Sequence, residues 1–204
     1  MARERRPDDA QPDRADPRGR GGARRRPAEH PPGARLTRFI VLVGTMGSGK
    51  TTVGPVLAER LGRRFVDNDE VLTDRTGRSA AEIVASDGPD ALHREEAAAL
   101  LDALGAEDDL AVVAAAGSVV DDDAVRNRLR GDDVDVVWLR AHPSTLRRRA
   151  LSGAHRPFVH DDPSAVARLD GARRPRYTEV ADLVVDVDDR EAADIVADVV
   201  QALP

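Results

Sequence analysis

Gly44-Thr45-Met46-Gly47-Ser48-Gly49-Lys50-Thr51 fits the spacing G-x-x-x-x-G-K-[ST] at every defined position. These residue types suit a phosphate cradle. Glycines let backbone N–H groups curl around phosphate oxygens, and the N-terminus of a following helix adds donors and a favourable dipole. Lys50 would meet the β and γ phosphates as a compact point charge, and the Thr51 hydroxyl would face Mg²⁺. The candidate nucleotide ligands are therefore Gly47, Ser48, Gly49, Lys50, Thr51 and Thr52. Lysine and arginine together number 31, and Lys50 is the only lysine among them. A general drift to arginine accounts for the other basic positions. At position 50 the wider, planar guanidinium would not fit the same cradle. The loop points to a nucleoside triphosphate. The short chain argues against a motor, and the lack of an N-K-x-D-like guanine motif argues against a GTPase switch.

A second cluster, Asp67-Asn68-Asp69, follows the short apolar stretch Arg64-Phe65-Val66. Two carboxylates at i and i+2 can diverge in a turn, one toward a metal ion and the other toward an acceptor hydroxyl. A carboxylate so placed could orient that hydroxyl or take its proton during in-line transfer. Capping of a following helix would use the same residue type without any chemistry.

Both clusters need rigid elements behind them. Phe39-Ile40-Val41-Leu42-Val43 is a continuous apolar run, as expected of a strand covered on both faces. The glycine-rich turn follows it, and Thr52 to Leu61 reads as a helix that stops at Gly62. The alternation then repeats. Strands are expected at 64–66, 110–115, 134–139 and 183–185. Helices are expected over 68–104 with breaks at Gly77 and Gly88-Pro89, and at 122–129, 144–151, 164–180 and 191–202. This order predicts an α/β fold with a parallel sheet. Ligands then gather beyond the carboxyl ends of the strands, where both clusters fall.

The chain has 204 residues, a formal net charge of -6, 2% aromatic residues and no cysteine. Disulfides and thiolate zinc sites are excluded. The acidic balance and scarce aromatics argue against a nucleic-acid partner. The sequence lacks an apolar stretch of membrane-spanning length and a secretory h-region, so no membrane partner and a cytoplasmic setting are expected. Residues 1–36 read as a disordered arginine- and proline-rich tail. Its ten arginines against six acids give +4, leaving -10 for residues 37–204, which read as a single domain. Residues 152–163 have a loop's composition and would suit a lid that keeps water from the phosphate.

Taken in order, these motifs resemble the shikimate kinase family of small phosphate-loop kinases. Beyond Gly44–Thr51 and Asp67-Asn68-Asp69, the likeness extends to Thr76-Gly77-Arg78-Ser79 with Glu82-Ile83. It continues through the lid pair Arg156-Pro157 and the R-x-P-x-Y pattern Arg173-Arg174-Pro175-Arg176-Tyr177, and covers about residues 38–203. The resemblance implies a five-stranded parallel sheet between helical layers, a mobile lid and a helical acceptor-binding region. It implies a monomer that uses ATP and Mg²⁺, with Asp67 near the metal and Asp69 activating the acceptor hydroxyl. It further implies that Arg156 neutralises the transferring phosphoryl group, that Arg173 clamps an acceptor carboxylate, and that Arg149 stacks on adenine; Arg190 is a further candidate nucleotide contact.

Two positions depart from the family pattern, both on the acceptor side. Leu92-His93 stands where the family has F-R, so His93 replaces an arginine that would grip the acceptor. Ala115-Ala116-Gly117 stands where the family has G-G-G, and the added methyl groups are expected to narrow the pocket or displace the backbone. Ala116 and Gly117 remain candidate acceptor contacts. Three readings stay open at this point. They are phosphorylation of shikimate to shikimate 3-phosphate, phosphorylation of a different polyol or hydroxy acid, and nucleotide binding without catalysis.

Overall fold

The computed structural model describes residues 37–106, 110–152, 162 and 164–203. The expected 1–36 tail and most of the lid, including Arg156, lie outside the described residues. The strands are β1 (Phe39–Val43), β2 (Arg64–Asp67), β3 (Ala111–Ala114), β4 (Val134–Arg140) and β5 (Leu183–Asp186). The helices are α1 (Lys50–Leu61), α2 (Asn68–Thr76), α3 (Ala80–Asp87), α4 (Pro89–Ala103), α5 (Asp123–Leu129), α6 (Pro143–Ser152), α7 (Ala165–Val180) and α8 (Ala192–Ala202). A single 3-10 turn at Val119–Asp121, absent from the sequence reading, joins β3 to α5.

The sheet has five strands in the order β2-β3-β1-β4-β5, with every pairing parallel. Its central strand explains the apolar run at 39–43. Phe39, Val41 and Val43 face a core shared with α4, α5 and α7. Ile40 and Leu42 face a second core shared with α1, α6 and α8. All five strand residues are buried, and each large side chain contributes about 1.5–3 kcal/mol by leaving water. A three-layer α/β/α architecture follows.

The order of the strands also fixes where a ligand can sit. The connection leaving β1 runs to α1 on one face, and the connection leaving β3 runs to α5 on the other. β1 and β3 are neighbours, so a crevice opens beyond their carboxyl ends. The turns after β1 and β3 and the end of β2 flank that crevice. The breaks inside 68–104 fall where expected: Gly77 caps α2 in a left-handed conformation, and Gly88 lies between α3 and α4. Ser79 and Glu82 cap α3 reciprocally, each side chain bonding the other's backbone N–H.

Candidate active site

The glycine-rich turn is held by what surrounds it. Gly47 has φ +82°, and a Cβ there would lie 2.4 Å from the carbonyl oxygen of Leu146 in α6. Conformation and close approach both require glycine. Gly49 caps α1 at φ +97° with open space around it, so conformation alone requires it there. Lys50 curls back over the turn, its Nζ donating to the Gly44 carbonyl at 2.6 Å and lying 3.4 Å from both the Thr45 carbonyl and Ser48 Oγ. Ser48 is buried, while Thr51 and Thr52 are exposed in the first turn of α1. The base of the turn is tied to α7. Thr45 Oγ1 donates to Asp170 at 2.8 Å, Asp170 accepts from Arg174 at 2.6 Å, and Arg174 reaches the Ala141 carbonyl at 3.1 Å.

Asp67 closes β2, and its Oδ1 accepts the Asp69 N–H at 3.0 Å, so the helix-capping role is realised. Capping engages one oxygen of a carboxylate that has two. Asp69 lies exposed in the first turn of α2. Between them Asn68 is buried and donates to the Glu96 carbonyl at 3.2 Å, which fastens the segment to α4. Thr51 and Asp67 are hard oxygen donors of the kind Mg²⁺ takes. Among the described residues, no group of three or more His, Cys, Asp or Glu side chains could hold a metal ion.

Glu96 went unnoticed in the sequence. Its side chain is buried one helical turn after His93 and accepts a hydrogen bond from Ser118 Oγ. Burial, with some help from the Asp69 charge, pushes its carboxyl up to about 7; the Ser118 bond and the charges of Arg173 and Lys50 act against that rise. One buried carboxyl thus lies within electrostatic reach of the turn lysine, the second aspartate and the α7 arginine.

The acceptor-side candidates also converge. Arg173 is buried, and its Nε donates to Asp121 at 2.8 Å. His93 is half-buried. Burial, then the Arg173 charge, lowers its pKa below the ordinary 6.5, while Asp121 and Asp90 pull the other way. The imidazole is accordingly neutral at pH 7 and supplies no charge. Arg94 is exposed, on another face of α4. Tyr177 donates its hydroxyl to the Gly117 carbonyl at 2.8 Å, and burial pushes the phenol up to about 12, so it remains a donor. The last residue of the R-x-P-x-Y pattern therefore anchors the loop after β3.

The Ala115 and Ala116 methyl groups, expected to narrow the pocket, both make contacts with a core. Ala115 is buried in the core shared with α4, α5 and α7, and Ala116 packs against the same core. The Ala115 N–H also extends the sheet by donating to the Leu42 carbonyl at 3.1 Å. Both methyl groups contribute to packing there. Gly117 stays tight, since a Cβ would lie 3.3 Å from the Gly44 carbonyl.

On the remaining side, Arg149 leaves α6 and donates to the Val187 carbonyl at 3.1 Å. Arg190 lies in the same β5–α8 connection and pairs with Asp198 at 2.7 Å. The two arginines proposed as nucleotide contacts therefore share one loop. Arg156 lies outside the described residues.

A family model for shikimate kinase matches residues 46–204. A shikimate kinase from Symbiobacterium thermophilum is 42% identical over 168 residues, covering 80% of this chain and 95% of that protein. The chain belongs to the shikimate kinase family. It is a kinase, and the family draws its phosphoryl group from ATP. A shikimate kinase from Dechloromonas aromatica is likewise 42% identical, over 73% of this chain and 81% of that protein. The solved shikimate kinase from Acinetobacter baumannii in complex with shikimate superimposes with a TM-score of 0.75 at 29% identity. It covers 82% of this chain and 93% of that one. A gluconokinase from Sinorhizobium meliloti, at 22% identity and a TM-score of 0.52, shares the fold alone.

Proposed function

We propose that the chain transfers the γ-phosphoryl group of ATP to the 3-hydroxyl of shikimate, giving shikimate 3-phosphate. The observation that carries this reading is the convergence on Glu96: Lys50, Asp69 and Arg173 all act on that one buried carboxyl. A phosphate-binding lysine, a hydroxyl-activating carboxylate and a carboxylate-binding guanidinium gathered around one point suit an acceptor that carries both a hydroxyl and an anion. Shikimate carries both. The relatives named above support the choice.

In this reading the glycine turn and the α1 N-terminus hold the phosphates, and Lys50 offsets charge that develops in the transition state. Thr51 and Asp67 would hold Mg²⁺, which would offset phosphate charge when bound. Asp69 orients the acceptor hydroxyl and takes its proton. Arg173, His93 and the Ala116-Gly117 backbone fix the acceptor's position. Arg149 and Arg190 frame the adenine, and Arg156 would meet the transferring group from the lid. The setting proposed is the cytoplasm, where ATP is supplied, and the acting species a monomer.

ADP release measured by a coupled assay tests the proposal across shikimate, quinate, gluconate and cyclitols, with the product identified by mass. Turnover with shikimate at the highest kcat/KM is expected. Preference for another polyol overturns the acceptor, and nucleotide binding without transfer to any of them overturns catalysis.

A further inference from the structure

Arg173 does not wait for the acceptor as an isolated charge. Its side chain is 8% exposed, and a guanidinium that deeply buried needs an anion. Asp121, at the end of the 3-10 turn after β3, supplies one. Its Oδ2 accepts from Arg173 Nε at 2.8 Å, and its Oδ1 lies 3.2 Å from Nη1 of Arg176, one helical turn further along α7. Two guanidiniums on one face of α7 are thus partly neutralised by one carboxylate of the chain itself. The position where the family carries a further arginine holds His93, which is neutral at pH 7.

We propose that Asp121 is a resident counter-ion that competes with the acceptor's carboxylate for Arg173 and thereby sets the affinity for anionic acceptors. The inference rests on the acceptor reading given above. Without acceptor, Asp121 compensates the buried cation. When a carboxylate acceptor enters, one guanidinium faces two anions, and the like charges repel. Asp121 is about one-third exposed, so solvent can accept it as it yields. An uncharged acceptor of the same shape brings no second anion and meets no such competition.

Asp121→Asn tests this. The amide keeps an oxygen that can accept from Arg173 Nε and removes the charge. Asp121→Ser is the second variant, and thermal unfolding verifies that each is folded. Steady-state kinetics and calorimetric titration are run with shikimate and with its methyl ester. The expected result is a fall of about 3- to 30-fold in the KM and Kd for shikimate, between the range for a screened pair and that for a buried charged hydrogen bond. The kcat should change little, and values for the ester should stay as in the wild type. Unchanged shikimate binding in either folded variant overturns the inference. So does weaker binding, which would make Asp121 a support that holds Arg173 in position, and so does an equal gain for the ester. Absence of shikimate turnover by the wild type overturns the acceptor reading and this inference with it. Wild-type turnover with unresponsive variants overturns this inference alone.

Discussion

Glu96→Gln should change how the stability of this kinase responds to pH. The Glu96 carboxyl is raised from its ordinary 4.5 to about 7, chiefly by burial. At about 1.4 kcal/mol for each tenfold change in proton affinity, that rise is worth about 3 kcal/mol. The sign follows from proton counting. Between about pH 4.5 and 7 the native chain holds a proton at Glu96 that the unfolded chain has released. Stability is therefore fully present below that window and declines as pH rises through it. Glutamine has nearly the same shape and does not ionise, so the variant lacks this slope. Urea unfolding of both proteins at several values between about pH 5 and 8 gives the gap between them directly. The gap should grow in favour of the glutamine variant by about 2.5 kcal/mol across that range, since part of the shift already acts at pH 5. Taking the difference removes other titrations, notably His93. Its lowered pKa acts in the opposite direction, adding stability as pH rises toward 6.5. A gap that stays constant across this range would refute the protonated Glu96 and mean that the buried carboxylate is already ionised and paired at pH 5.

Three further outcomes follow from the site. Lys50→Arg should lower kcat by about 100-fold or more, because a planar fork cannot replace the Nζ packed 2.6 Å from the Gly44 carbonyl; a near-normal rate shows that charge alone suffices. Tyr177→Phe leaves the Gly117 carbonyl without its donor and should lower unfolding free energy by about 1–2 kcal/mol in urea melts while raising the acceptor KM. His93→Arg should tighten shikimate binding about tenfold by adding a guanidinium beside Arg173, measured as Kd by calorimetry; an unaltered Kd means that position 93 does not face the acceptor's carboxylate.

What could be read from the sequence was what is local. The phosphate turn is contiguous, bracketed by an apolar strand and a helix, and its glycines answer to φ values and approaches set within the turn and by one helix. The strands of the parallel sheet follow nearly as directly, because buried parallel strands announce themselves as apolar runs. The partnerships that tune the acceptor side could not be read this way. Ser118 lies 22 residues from Glu96, Asp121 lies 52 from Arg173, and Asp170 lies 125 from Thr45. Each pair meets only because β3 lies beside β1 and α7 packs across the loop that follows β3. The orientation of Ala115 was hidden for the same reason: the strand's hydrogen-bonding continues one residue past its last paired position and turns that methyl into the core.

One signal was available. Glu96 precedes Ala97, Leu100 and Ala103 on a helix whose apolar face is core, and a carboxylate on such a face calls for a partner or a proton. With His93 one turn before it and neutral, no cation on α4 fills that role. Glu96 instead takes the Ser118 hydroxyl and keeps its proton to about pH 7, while Arg173, lacking a second guanidinium beside it on α4, takes Asp121. Both unusual features of the acceptor side lie near position 93, which links them in a testable way. They are expected to be coupled: His93→Arg should lower the Glu96 pKa as well as tighten shikimate, so the pH-dependent stability gap between this background and its Glu96→Gln derivative should be smaller than in the wild type. If the gap is the same in both backgrounds, the two features have separate causes.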